Sequence, residues 1–251
     1  MRGFLGRDVG AWHCQSGASR DALVLLAEDQ GKLRVVGKPW RGNLRGAYNS
    51  GSGAKLLTEL LGLAGGAEQR WSQITLAIDT PLGWPAAFRQ LLEGVHPETI
   101  PAQKANNPLL MRETERWLCG RGHRPLSPVQ DLIGSQATKG MAFLAALGLK
   151  AARTGVWSGQ VGGIDLVAVE AYPAPCKRSA IVASMKAGLP LPPGLPPAAK
   201  SDIEDALTYA ILGALFTKRP ESLAAPMASA DLHEGWIWVP RDCLTEKEPT
   251  E

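Results

Sequence analysis

Short apolar segments separated by turn-forming residues open the chain. The segments GFLGRDVGAW, DALVLLAED and KLRVVGKPW follow one another closely, with the turn-like GASR and DQG between them. Three such segments in succession predict an antiparallel meander of three strands. Apolar residues at helical spacing in AKLLTELLGLAG, which stops at Gly65 and Gly66, predict a helix.

Two later segments predict buried strands. The segment ITLAIDTPLGWP breaks at Pro81, and GGIDLVAVEAYPAP ends at Pro173. Their near-continuous apolar character is typical of strands covered on both faces, as in the parallel part of a mixed sheet. Between them, NPLLMRETERWLCG and QATKGMAFLAALGL predict helices over one face of the sheet within residues 106–153.

The last strong pattern is helical. A short helix and the loop LPLPPGLPP, whose prolines forbid regular structure, precede SDIEDALTYAILGALF. This segment predicts a helix capped by Ser201 or Asp202. The order of elements predicts an α/β fold with a mixed sheet of five strands, three antiparallel strands followed by parallel crossovers, flanked by helices. We expect one domain over residues 1–240, a basic helical insertion at 101–160 and a C-terminal tail at 241–251.

Composition excludes several classes of protein. With 251 residues, of which 45% are hydrophobic and 20% charged, the chain can bury a core without disulfides. Its four cysteines form no CxxC pair, which argues against a zinc ribbon or an iron-sulfur cluster, so we expect reduced thiols. The absence of a long apolar run and of a secretory signal predicts no membrane association and a cytoplasmic location.

The formal net charge of +3 is too small to identify a nucleic-acid partner. Residues 101–160, however, carry eight basic residues against three acidic ones. Such a local excess fits either a nucleic-acid surface or a solvated helical surface, and both interpretations stay open at this point.

Acidic residues stand at the ends of the predicted strands. Asp8 lies in the first strand, Asp79 ends the fourth, and Glu170 lies near the end of the fifth. A charge in a buried strand is costly unless it is paired or bound to a metal. Asp202 and Asp205 lie three residues apart in the predicted first turn of the last helix and therefore on one helical face. If the three strands are neighbours, these carboxylates converge.

Converging carboxylates predict a divalent cation. They repel one another, and a cation favours their ionised forms. Oxygen ligands without supporting Cys or His indicate Mg²⁺ or Mn²⁺. Two such ions about 4 Å apart can activate a water and stabilise the leaving oxygen of a phosphodiester. We expect Asp8 to bridge the ions, with Asp79, Glu170 and Asp205 completing the ligand shell. Asp202 is the alternative ligand from the helix. Taken singly, Asp79, Asp202 and Asp205 also fit ordinary turn, capping and first-turn roles.

Several segments together resemble a known family. The segments GRDVGAW, AIDTPLGWP, VEAYPAP, KSDIEDALTYAILGAL and EGWIWVP lie within residues 3–240. Their order and spacing resemble the predicted RNase H-like nucleases grouped as domain of unknown function number 429. The resemblance implies an RNase H-like fold and a metal-dependent nuclease. The acidic positions of the family fall on Asp8, Asp79, Glu170 and the pair Asp202 and Asp205. Arg7 before Asp8, with Trp12 and His13 after it, departs from the small, Gly-rich residues that often flank this position in the family and leaves the substrate open.

The segment MRETERWL resembles the Arg-Thr-acid element of the same family, with Arg112, Thr114 and Glu115 at the matching positions. One interpretation is that Arg112 or Arg116 faces a substrate phosphate, which a guanidinium group suits well. The alternative is an exposed helix with ion pairs three or four residues apart.

Two other functions remain open. A related actin-like fold serves ATP-binding phosphotransferases, which normally need two copies of it. An inactive nucleic-acid or protein-binding module would instead have its acidic cluster opened out, or neutralised by Arg7 or Lys200. For the nuclease we expect a nucleic-acid partner, DNA or RNA, and a homodimer is compatible with it.

Overall fold

The computed structural model describes residues 1–12, 20–96, 99, 101, 103, 106–193, 195 and 197–245. His13, Cys14, Lys104 and the end of the predicted tail, residues 246–251, lie outside the described residues. Among those described, no helix has both the length and the apolar character needed to cross a bilayer.

A mixed sheet forms the centre of the protein. In the described part of the chain it has eight strands: β1 (Arg2–Asp8), β2 (Asp21–Asp29), β3 (Lys32–Gly42), β4 (Gln73–Asp79), β5 (Lys150–Arg153), β6 (Val156–Val161), β7 (Ile164–Ala171) and β8 (Ile237–Trp238). Their order is β3-β2-β1-β4-β7-β6-β5, and β8 pairs with β7. The predicted antiparallel meander of the first three strands is confirmed. The pairs β1–β4 and β4–β7 are parallel, as predicted for the two later strands.

The prediction of five strands was wrong, because β5, β6 and β8 extend the sheet beyond those five. β5 and the start of β6 lie inside the predicted helical insertion, and β6 returns antiparallel to β7. The turn between β6 and β7 is Gly162-Gly163, with φ of 59° and 82°. Positive φ at both positions suits the two-residue hairpin turn that this sheet edge requires.

Helices cover both faces of the sheet. They are α1 (Arg45–Tyr48), α2 (Gly53–Leu63), α3 (Ala86–Leu92), α4 (Glu113–Cys119), α5 (Gly134–Ala146), α6 (Pro173–Cys176), α7 (Ala180–Ala187) and α8 (Pro197–Lys218). A 3-10 helix at Arg241–Cys243 lies in the segment predicted as tail. α2, α4 and α5 fall where helices were predicted.

The predicted start of α8 was wrong. The helix begins at Pro197 rather than at Ser201 or Asp202, because proline fits the first position of a helix, where its missing N–H is not needed. Asp202 and Asp205 therefore lie in the second and third turns and do not cap the helix.

The two faces of the sheet carry separate apolar cores. Phe4 of β1 packs under α8, while its neighbour Leu5 packs in the opposite core, which α2 and α5 cover. α8 lies directly on β1 because Gly6 has no side chain. A Cβ built on Gly6 would lie 1.9 Å from the carbonyl oxygen of Ala206 and 2.4 Å from the amide nitrogen of Ala210. This close approach brings α8 over the ends of β1 and β4.

Candidate carboxylate site at the carboxyl end of the sheet

Asp8 and Asp79 stand side by side at one edge of the sheet. Each is the last residue of its strand, and the two are register partners in the parallel pair of β1 and β4. Because partners in register point to the same face, both carboxylates lie on the face that α8 covers, like Phe4 and Ala77. Neighbouring strands are about 4.8 Å apart, so the two carboxyl groups are close neighbours.

Helix α8 reaches the same point through Tyr209. Its hydroxyl donates a hydrogen bond of 2.6 Å to Oδ2 of Asp79. Tyr209 is fully buried. It lies one helical turn after Asp205, so both residues share the face of α8 that points toward the sheet. Sequence reasoning missed Tyr209, although the four-residue spacing in DALTY is a signal that could have found it.

The electrostatics of this cluster are unfavourable for negative charge. Burial raises the pKa of Asp8 to about 8, and repulsion from Asp79, Asp202 and Asp205 adds to the shift. Burial likewise raises the pKa of Asp79 to about 7, although the Tyr209 hydrogen bond opposes it. Asp8 therefore lies within electrostatic reach of Asp79, Asp202 and Asp205, and Asp79 lies within reach of Asp205 and Glu170.

The two acids of α8 are each paired with a cation. Nε of Arg41 lies 2.6 Å from Oδ2 of Asp202, and Nζ of Lys177 lies 3.0 Å from Oδ1 of Asp205. The side chain of Lys177 is 60% exposed, so its pair with Asp205 is a solvent-exposed contact that is worth little.

An inactive binding module would have its acidic cluster neutralised by Arg7 or Lys200, and neither residue contacts these acids. Arg7 is on the other face of the sheet and forms a salt bridge with Asp21. Nζ of Lys200 lies 3.9 Å from Glu204.

Glu170 does not join the cluster. Its register partner is Ile78, one residue before Asp79, so its side chain lies on the opposite face of the sheet. There it is 2% exposed and forms a bidentate pair with Arg112, with distances of 2.6 and 2.7 Å. The backbone N–H of Leu82 donates a third hydrogen bond, at 3.0 Å. Its oxygens serve a buried ion pair in this structure, so nothing here supports Glu170 as a metal ligand, and that role stays a prediction.

Arg112 is a buried structural residue. Its side chain has no exposed surface, and besides Glu170 it binds Glu115 through Nε at 2.8 Å. It also donates to the carbonyl oxygen of Glu234 at 3.0 Å. Of the two interpretations of Arg112 from the sequence, the structure bears out the ion pair three residues apart, but not its exposure. The guanidinium is not available to a phosphate, and its pair with Glu115, although three residues apart, is buried.

Arg116 stays apart from the site. It is half-buried, and its Nε has no hydrogen-bond partner in the described part of the chain. A phosphate contact by Arg116 remains a prediction.

A buried network fixes the backbone that follows Asp8, and sequence reasoning missed it. Asp21 accepts hydrogen bonds from Arg7 at 2.7 and 3.0 Å and from the N–H of Gly10 at 3.0 Å. Lys139 donates to Asp21 and to the carbonyl oxygens of Gly10 and Ala11, the latter two at 3.0 and 2.9 Å. Burial would raise the pKa of Asp21, but Arg7 and Lys139 hold it below its ordinary value. The network therefore positions the chain beside Asp8 from the opposite face of the sheet.

The donor set of the cluster is made of oxygens only, which suits Mg²⁺ or Mn²⁺. Within the described residues, no three His, Cys, Asp or Glu side chains are already arranged as a metal-binding group. Comparison with protein-family models, with curated proteins and with solved structures gave no match.

Proposed function

We propose that this protein is a metal-dependent nuclease that hydrolyses phosphodiester bonds of nucleic acid. The observation that carries the proposal is the register pairing of Asp8 and Asp79 at the ends of adjacent parallel strands, next to Asp205 on α8. Carboxyl groups with strongly shifted pKa values are typical of functional sites.

A divalent cation explains why such acids are grouped. Mutual repulsion and burial disfavour the ionised forms of Asp8 and Asp79, and a bound cation reverses that preference. In this proposal Asp8, Asp79 and Asp205 hold Mg²⁺ or Mn²⁺, and Asp202 is the alternative to Asp205. When bound, the metal supplies an activated water and neutralises charge on the phosphate. Tyr209 orients Asp79 and favours its ionised form through the 2.6 Å hydrogen bond.

The strand order supports the RNase H-like interpretation. In the path β3-β2-β1-β4-β7, β2 is antiparallel to both of its neighbours, and β4 and β7 continue parallel to β1. This is the predicted five-strand arrangement, with β5, β6 and β8 added to it. The phosphotransferase alternative normally needs two copies of the fold, and the described residues contain one sheet.

Basic residues around the acidic cluster support a nucleic-acid substrate. Arg41 and Lys177 contact its acids directly. Cations around an acidic centre suit a phosphate backbone that must approach bound metal. The proposal needs neither a homodimer nor a particular cell compartment.

Cleavage of labelled oligonucleotides tests the proposal. Single-stranded, duplex and branched DNA and RNA would be incubated with the protein in Mn²⁺, in Mg²⁺ and in chelator. We expect metal-dependent cleavage that Asp8→Asn and Asp79→Asn abolish. Asp165→Asn is the matched control, because Asp165 is exposed at the opposite end of β7. Equal activity of Asp8→Asn and wild type, or no cleavage of any substrate in either metal, would refute the proposal.

A further inference from the structure

Helix α5 contacts the chain on both sides of Asp8. Before Asp8, the guanidinium carbon of Arg7 lies 4.2 Å from the ring centroid of Phe143. After Asp8, Nζ of Lys139 donates hydrogen bonds of 3.0 and 2.9 Å to the two carbonyl oxygens of Gly10-Ala11. Because α5 packs on the face of the sheet opposite to α8, these contacts hold the end of β1 from behind and leave the carboxylate of Asp8 on the side of α8.

The next residue of α5 packs on the loop that follows Asp79. A Cβ added to Gly140 would lie 2.3 Å from Cγ2 of Thr80 and 2.9 Å from Cδ2 of Leu82. Such a close approach requires glycine. The backbone of Leu82 is itself fixed, because its N–H donates a hydrogen bond of 3.0 Å to Glu170. A side chain at position 140 would therefore displace either α5 or the segment that begins at Asp79.

Lys139 makes a displacement of α5 costly. Its ammonium group is completely buried and forms a salt bridge with Asp21, which Arg7 of β1 also contacts. Moving α5 away from the sheet would separate these charges in the protein interior, where an uncompensated charge is strongly destabilising. The segment after Asp79 would therefore shift instead, and the position of Asp79 would change relative to Asp8.

One helix thus contacts the two loops that follow the two acids. Lys139 holds the loop after Asp8 and Gly140 packs on the loop after Asp79, and adjacent residues of a helix have a fixed spacing. Residues that orient metal ligands without binding the metal strongly affect metal affinity. Placing such residues on a rigid helix suits a site whose ligands must keep a defined separation.

We propose that Lys139 and Gly140 are positioning residues that set the separation of Asp8 and Asp79 for a bound divalent cation. The inference rests on the proposed metal site and deepens it, because it makes the affinity of that site depend on a helix that contributes no ligand. Neither residue contacts the cation; each acts through the backbone that carries an acid.

Binding of Mn²⁺ without substrate tests this inference. Gly140→Ala adds a methyl group that the loop excludes, and Thr80→Ser removes the methyl group that it would meet. We expect Gly140→Ala to weaken Mn²⁺ binding about 10-fold or more, the range typical of changes to residues that support metal ligands. The double variant Gly140→Ala, Thr80→Ser should recover most of the affinity, and Thr80→Ser alone should bind like wild type. Calorimetric titration of Mn²⁺ into the four proteins measures these values.

Two further variants complete the test. Gly62→Ala is the matched control, because Gly62 lies in α2 and a Cβ there would have no neighbour within 4 Å. It should leave Mn²⁺ affinity unchanged. Lys139→Met should weaken Mn²⁺ binding about 10- to 100-fold, since the loop after Asp8 loses its donor. Because this variant also removes a buried partner of Asp21 and lowers the Tm, the comparison of Gly140→Ala with the double variant is decisive.

The outcomes separate a positioning role from a structural one. A lower Tm of Gly140→Ala with the Mn²⁺ affinity of wild type would overturn the inference, and so would a loss of affinity that Thr80→Ser does not reverse. A wild-type protein that binds no Mn²⁺ would overturn it as well, because no cation would then be held between the acids.

The same outcomes separate this inference from the proposed function. Mn²⁺ binding that Gly140→Ala weakens and the double variant recovers, without cleavage of any oligonucleotide, would support the positioning role and refute the nuclease. Metal-dependent cleavage by wild type, with the Mn²⁺ affinity unchanged in Gly140→Ala, would refute the positioning role and leave the nuclease standing.

Discussion

The hydroxyl of Tyr209 donates a hydrogen bond of 2.6 Å to Asp79, and this bond ties the helix α8 to the end of β4. It opposes the effect of burial on Asp79, whose pKa still rises to about 7. Since Asp205 lies one turn before Tyr209, the same contact keeps the acids of the helix next to the acids of the sheet. The bond therefore holds the geometry of the cluster and lowers the cost of ionising Asp79.

Replacing Tyr209 with Phe tests this dual role. A hydrogen bond to a charged acceptor is worth about 1.5–3 kcal/mol and a neutral one about 0.5–1.5 kcal/mol. We therefore expect Tyr209→Phe to destabilise the protein more at pH 8.5, where Asp79 is ionised, than at pH 5. Denaturant unfolding in chelator at both pH values measures the difference. Tyr172→Phe is the control, because Tyr172 donates to the uncharged carbonyl of Arg124. A loss for Tyr209→Phe that does not vary with pH would contradict the charge-dependent role.

The raised pKa values of Asp8 and Asp79 predict how stability depends on pH in the absence of metal. Both acids have an ordinary pKa of 3.8, and in the folded chain burial and repulsion raise these values to about 8 and 7. At pH values between the ordinary pKa of 3.8 and the raised pKa of each acid, the native state binds more protons than the unfolded state. The free energy of unfolding therefore falls as pH rises through this range. Each proton contributes about 1.4 kcal/mol per pH unit at most.

The Asp8→Asn variant isolates the contribution of one acid. It should lose stability less steeply than wild type between pH 5 and pH 8, and it should exceed wild type in Tm at pH 8 in chelator. Asp165→Asn should keep the wild-type slope. A wild-type protein whose stability is constant or rises over this range would show that Asp8 and Asp79 ionise normally.

The sequence was sufficient to locate the strands that carry the acids. It was not sufficient to determine on which face of the sheet each acidic side chain lies. Asp8 and Asp79 end buried apolar strands, and this pattern is visible in GRDVG and AIDTP. Whether Glu170 joins them depends on the register of β7 against β4. The pairing of Ile78 with Glu170, one residue short of Asp79, reverses the face. Apolar periodicity holds no information about such an offset when a strand is buried on both sides.

The sequence also could not predict contacts between residues that lie far apart along the chain. Arg112 binds Glu170, which follows it by 58 residues, and Lys139 binds carbonyl oxygens more than 120 residues earlier. Nothing local distinguishes these side chains from solvated ones. Strands β5 and β6 were also missed. The residues of β5 are largely exposed and show no clear alternation of apolar and polar positions.

The burial of Arg112 between two carboxylates predicts a structural effect of its removal. Arg112→Met should cost about 3–5 kcal/mol of unfolding free energy, since it leaves Glu115 and Glu170 buried without a counter-charge. Thermal or denaturant unfolding measures this. The double variant Arg112→Met, Glu170→Gln should recover part of the loss, because one uncompensated charge is removed. Full stability of Arg112→Met with weakened oligonucleotide binding would restore the phosphate-binding interpretation.

Two ion pairs, one exposed and one partly buried, allow the metal ligand of α8 to be identified. Lys177 holds Asp205 and Arg41 holds Asp202, so each cation competes with a metal for its partner. If Asp205 is the ligand, Lys177→Gln frees it and strengthens Mn²⁺ binding, whereas Arg41→Gln does not. The exposed Lys177 pair is worth about 0.2–1 kcal/mol, so the gain in affinity for Lys177→Gln is about 5-fold at most.

Calorimetric titration of Mn²⁺ into both variants and wild type decides between the two acids. A gain confined to Lys177→Gln would assign the ligand role to Asp205, and a gain confined to Arg41→Gln would assign it to Asp202. The two cations have solvent-exposed surface, 60% for the side chain of Lys177 and 26% for that of Arg41. Because both side chains reach solvent, glutamine at either position leaves no buried charge unpaired, and a change in affinity reports on the carboxylate rather than on the stability of the fold.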